Sequence, residues 1–318
     1  MNSVGTFRGW ASLRLALLAT LALGGCGGGV EQVDAFVADR VIVFGDESSA
    51  LTSDGRRWGI NGLDASGTRI DCEAEPLWVQ SVASLYGYRF AACIEGVPDS
   101  EPRALMYAQA DSKVADLSGQ IDNLRSTTRI RNRDLALVMA GANDIWALYE
   151  QFPGRGEADL LSEARARGEQ LANAVNGLIA LGARVILVTL PDLGLSPDAR
   201  AQSLLHAGTG FDRAALVSRL VAAFNERLIL KVVQDGRQIG LALWDQTMLA
   251  VARDPGSYGF SNISDAACTR RLPDCTTATL TQGATSDSYL WADGRRLSPG
   301  AHAQIASLAL ARARGNPF

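Results

Sequence analysis

Three short stretches of the chain are apolar without alternation: residues 41–44, 135–140 and 185–190. Each stops at turn-forming residues, Gly45 and Asp46, then Gly141, then Pro191. Such unbroken runs predict strands covered on both faces, because a strand with one wet face would alternate. Residues 160–181 and 216–233 instead repeat apolar positions at helical spacing, the first followed by Gly182 as a cap. Ser298 and Pro299 read as the cap and first residue of a late helix. Strands alternating with helices predict an α/β chain, a three-layer α/β/α sandwich with a mostly parallel central sheet. Functional groups in such sheets gather beyond the carboxyl ends of the strands. Residues 45–49 follow one strand and 141–144 another, so both fall on one rim.

The N-terminus does not belong to that pattern. Arg8 and Arg14 precede an apolar run at residues 15–23, then Gly24, Gly25 and Cys26. This is the order of a secretory signal, so residues 1–25 are expected to be removed. The tetrad Leu23, Gly24, Gly25, Cys26 is similar to a bacterial lipobox, which makes Cys26 the expected lipidated residue. Gly27 rather than aspartate follows it, pointing to the outer membrane, on its periplasmic or surface side. Residues 26–36 then form a glycine-rich tether, and residues 37–318 one domain, large enough for a substantial core.

Export changes how the five cysteines are read. With Cys26 assigned to lipid, Cys72, Cys93, Cys268 and Cys275 remain, an even number suited to disulfides. Of three possible pairings, local loop closure favours Cys72 with Cys93 and Cys268 with Cys275. Zinc is disfavoured by the presence of only two histidines and no CxxC pair. The net charge of −4 and scattered basic residues argue against a nucleic-acid partner.

The stretches VIVFGDESS, VMAGAND and WADGRRLSPGAH, in that order, resemble the signature blocks of the SGNH or GDSL hydrolase superfamily. Residues 104–122, 188–197, 222–228 and 254–268 resemble segments found between those blocks. The resemblance spans nearly all of the chain after the signal and implies a flavodoxin-like fold. It also implies acyl transfer without a cofactor or metal, in which a serine attacks a carbonyl, a histidine moves its proton and an aspartate orients the histidine.

Asn143 matches the family's oxyanion-stabilising asparagine, with a turn or helix cap as the other reading. Backbone N–H groups of Ser48 and Ala110 are the expected further donors. Read without a gap, however, Glu47 stands at the serine position and Arg296 at the histidine position. A turn one residue longer would deliver Ser48 as nucleophile; otherwise Ser48 and Ser49 cap a helix. An arginine stays protonated and cannot act as base, which leaves His302 as the candidate base, oriented by Asp293. Otherwise His302 is a packing residue and Asp293 pairs with a neighbouring arginine. His206 reads as structural.

The leading expectation is an exported, lipid-anchored carboxylic-ester hydrolase acting on a small-molecule or lipid ester. A catalytically impaired relative that binds a lipid, acyl or glycan ligand is the alternative, and a scaffold lipoprotein the lesser one. The alternative carries its own geometric expectation, an ion pair between Glu47 and Arg296 across the inherited centre.

Overall fold

The computed structural model describes residues 36–94, 96 and 101–315. The expected signal segment, Cys26 and the glycine-rich tether lie outside the described residues.

The first apolar run forms β1 (Arg40–Gly45). It is followed by α1 (Trp78–Leu85), β2 (Ala104–Met106), α2 (Leu117–Thr127) and β3 (Asp134–Met139). The chain continues through α3 (Ala142–Tyr149), α4 (Glu157–Ala180), β4 (Arg184–Val188), α5 (Pro197–Leu205), α6 (Arg213–Lys231) and β5 (Ile239–Ala242). After α7 (Trp244–Arg253) come β6 (Asn262–Ala266), β7 (Tyr289–Trp291) and α8 (Pro299–Arg314).

The main sheet has the order β2-β1-β3-β4-β5, with every neighbouring pair parallel. All residues of β1 and β3 are buried, as unbroken apolar strands in a covered sheet should be. Helix α4 packs on α6 and touches α2 and α3, whereas α1 packs on α8, which also lies against β4 and β5. The expected helix ends hold: Gly182 takes φ +101° just beyond α4, and Ser298 Oγ accepts the Ala301 N–H with Pro299 opening α8.

In this strand order the chain leaves β1 and β3 in opposite directions, which opens a crevice at their carboxyl ends. Two glycines make that crevice tight. Gly45 has φ +137°, and a Cβ there would sit 1.9 Å from the Met139 carbonyl oxygen. Gly141 has φ +121°, and its Cβ would meet the Phe224 ring at 2.5 Å. Side chains at either position would clash and strain the backbone. Gln120 fastens the turn by accepting the Gly45 N–H (2.9 Å) and donating to its carbonyl (2.8 Å).

The β6–β7 pair forms a separate small parallel sheet. Both expected disulfides are present, Cys72–Cys93 and Cys268–Cys275.

Candidate functional site

The turn after β1 decides which residue reaches the crevice. Asp46 Oδ1 accepts the Ser48 N–H at 3.0 Å, and the Asp46 carbonyl accepts the Ser49 N–H at 3.1 Å. This tight turn delivers Glu47 to the site, without the added residue that would have presented Ser48. It also corrects the expected donor role of Ser48, whose N–H is already engaged by Asp46. Ser49 is committed elsewhere, accepting the Trp78 indole N–H at 3.1 Å.

The Glu47 side chain is 5 % exposed. Its Oε2 accepts from the Asn143 Nδ2 amide at 2.8 Å and from the Asp111 backbone N–H at 3.1 Å. Its Oε1 accepts from Arg296 Nη2 at 3.1 Å and Nε at 3.3 Å. Arg296 reaches back through Nη1 to Asp293 Oδ2 at 3.2 Å. Asp293 Oδ1 accepts the N–H groups of Arg295 (2.8 Å) and Arg296 (2.7 Å), fixing the loop that carries them. Burial opposes the Arg296 charge, but the Asp293 and Glu47 carboxylates outweigh it and hold the guanidinium above its ordinary value.

A side-chain amide and a backbone N–H converging on one oxygen form the donor set that acyl transfer requires for a developing oxyanion. Here the Glu47 side chain occupies it. The second donor is Asp111 rather than the expected Ala110. Asp111 takes φ +61°, a left-handed conformation that aspartate tolerates better than most residues. Asn143 is further held by the Ser112 carbonyl (3.1 Å). Asp144 anchors the adjoining loop by accepting the Val114 N–H (2.9 Å).

Asp293 therefore holds an arginine, as the second reading of that residue foresaw, and makes no hydrogen bond to His302. His302 lies on the inner face of α8 with Ile305, Ala306 and Ala309. Its Nδ1 has no hydrogen-bond partner, and no hydrogen bond joins its ring to Ser48 among the described residues. Burial, with a further contribution from the Arg57 charge, pushes its pKa down to about 3. The ring is thus a neutral packing group, which corrects the expectation of a base beside Ser48; the buried stripe at residues 302, 305, 306 and 309 was the sequence signal for it. His206 ends α5, with Nδ1 beside the Gln202 carbonyl oxygen (3.0 Å).

Beneath the crevice Asp46 is fully buried, and burial followed by the Glu47 charge raises its pKa to about 7, against the lowering pull of Ser48. Asp144 is also raised, chiefly by burial. Among the described residues no group of three or more His, Cys, Asp or Glu side chains is placed to hold a metal.

The strand order defines a doubly wound α/β protein with two neutral donors, the Asn143 amide and the Asp111 N–H, at its crevice. The profile of GDSL-like lipases and acylhydrolases matches residues 42–309, and the chain belongs to that family. It is similar to the phosphatidylcholine-sterol acyltransferase of Aeromonas hydrophila, with 23 % identity over 197 residues, covering 60 % of this chain and 53 % of that enzyme. The chain thus aligns with about half the length of this relative. Similar solved structures include a lipase from a goat rumen metagenome, with TM-score 0.49, 12 % identity and coverage of 87 % and 98 % of the two chains. Another is an acetylxylan esterase of Geobacillus stearothermophilus, with TM-score 0.40, 16 % identity and coverage of 88 % and 95 %.

Proposed function

We propose that this chain is a GDSL-family protein that has exchanged acyl-serine hydrolysis for binding of a small molecule in the cell envelope. The observation that carries this reading is the seat taken by the Glu47 carboxylate. It fills the oxyanion donors, while Arg296 and Asp293 hold it there. A substrate carbonyl would have to displace a charged group from three donors at once, and charge-assisted hydrogen bonds are the strong ones. Among the described residues the side chain hydrogen-bonded to Asp293 in the place of a catalytic histidine is the Arg296 guanidinium, which cannot act as a base.

Lipid on Cys26 would hold the protein at the membrane, and the two disulfides support an oxidising compartment. The competing reading is ester hydrolysis through Ser48 with His302, which family membership favours. Both are tested by turnover of p-nitrophenyl acetate and butyrate by wild type, Ser48→Ala and Asn143→Ala. The expected result is equal, background-level turnover in all three. Hydrolysis by wild type that Ser48→Ala abolishes would overturn the binding reading. For the anchor, Cys26→Ser is expected to release the protein from the membrane fraction.

A further inference from the structure

Beside the inherited centre lies a second cavity of about 360 Å³. It is lined from α3 and the segment after it, from α5, from the start of α6, and by Arg295. None of Glu47, Ser48, Asn143, Asp293, Arg296 or His302 lines it. Its size lies at the small end of the range typical of ligand pockets, roughly 300–1,000 Å³.

The charges around it do not balance locally. Arg295 is occupied, with Nε 2.7 Å from Asp198 Oδ2, Nη1 3.9 Å from Glu150 Oε1, and its guanidinium 4.2 Å from the Trp146 ring centroid. Both acidic side chains lining the cavity are therefore engaged by one arginine. Arg213 is left over. It is 8 % exposed, stacks on Phe152 at 4.7 Å, and meets only neutral acceptors, the Phe152 carbonyl oxygen at 3.4 Å from Nη1 and the Tyr149 hydroxyl. It makes no ion pair among the described residues, and its Nε has no acceptor.

A second buried donor is also unmatched, the indole Nε1 of Trp146, a residue that lines the same cavity. Buried donors are normally satisfied, so two spare donors on one small cavity are a directional signal. Tyr149 reports the same field: burial raises its phenol pKa, while Arg213 and then Arg295 pull against that rise. Its hydroxyl donates to Gln202 Oε1 at 3.2 Å, which places a polar pair on the wall.

From Arg213 without a counter-charge, the unmatched Trp146 donor and the closed Arg295–Asp198 pair, we propose that this cavity binds a small organic anion. Its carboxylate or phosphate head would sit on Arg213, with a hydroxylated body of about monosaccharide size against Trp146, Tyr149 and Gln202. A guanidinium offers both kinds of head its forked donors. The site stands whether or not Ser48 hydrolyses esters, so its failure and that of the proposed function are separable.

The test is isothermal titration of the full-length protein in detergent, after circular dichroism shows it folded, with D-glucuronate, glucose 6-phosphate and glucose. These carry one sugar body with a carboxylate, a phosphate or no charge. At least one anion is expected to saturate below about 10 mM, with glucose at least about 10-fold weaker. Whichever anion binds names the head group. Arg213→Gln should remove that preference. Gln202→Trp, on the cavity rim, should block binding while leaving Arg213 in place, and it decides the matter if Arg213→Gln does not fold. Glucose binding as tightly as the anions, saturation by neither anion, or unchanged anion binding in Gln202→Trp would each overturn the assignment.

Discussion

Arg296 is a partly buried and Arg213 a buried guanidinium group, and their surroundings differ in kind. Arg296 joins Glu47 to Asp293, and the carboxylate it meets is itself held by Asn143 and the Asp111 N–H. Arg213 has an aromatic face, a distant carbonyl and a phenol hydroxyl, and no carboxylate. The crevice that carries the family's motif residues is electrostatically closed, whereas the cavity outside those motifs has a charge to spare. Motif residues mark ancestry; unsatisfied groups mark where a ligand still has something to gain.

The largest expected effect comes from opening the closed site. Glu47→Ser combined with Arg296→His frees the Asn143 and Asp111 donors and puts an imidazole next to Asp293. Turnover of p-nitrophenyl acetate is expected to rise at least about 100-fold over wild type, and adding Asn143→Ala should lower it again by about 100-fold. A folded double variant with wild-type turnover would show that the Glu47–Arg296 pair does not set the activity of this centre.

Next in size is a stability contrast, measured by urea unfolding. Arg296→Met strands the buried Glu47 carboxylate with two neutral donors and should cost about 3 kcal/mol. Arg213→Met strands no counter-charge and should lie within about 1 kcal/mol of wild type, or be more stable. Equal losses would dissolve the distinction between the two arginines.

The smallest effects lie in the floor below. Asp46 is raised from 3.8 to about 7, so between those values the folded chain holds a proton the unfolded chain has released, and this contribution weakens as pH rises. His302 is lowered from 6.5 to about 3, so there the unfolded chain holds the extra proton, and this contribution weakens as pH falls. The two slopes oppose each other. Relative to wild type, Asp46→Asn should gain stability as pH climbs from about 4 to 6.5, while His302→Leu should lose it across the same window. Parallel urea-midpoint profiles for the three proteins would show that neither group titrates as its burial dictates.

The three continuous apolar runs became the buried strands β1, β3 and β4, and the two amphipathic stretches became α4 and α6, because burial on two faces or one stripe is written directly into residue order. Strands β2 and β5, of three and four residues, leave too short a pattern to read. Asn143 and Asp293 were legible from motif position. The choice between Glu47 and Ser48 was not, since it rests on one residue of turn length set by Asp46 hydrogen bonds. Asp111 in place of Ala110 depends on a left-handed backbone angle with no glycine to announce it. The Arg213 cavity draws on α3, α5, α6 and the loop before α8, segments that only tertiary packing brings together.

The mutual dependence of Glu47 and Arg296 also has a historical side. Restoring the serine alone would leave an arginine facing emptied donors, and restoring the histidine alone would leave a buried anion without its cation. On the binding reading, each single step back is expected to cross a variant that is less stable and without turnover. On the same reading the pair would act as a ratchet, and the two positions are expected to change together or not at all among relatives that carry either residue.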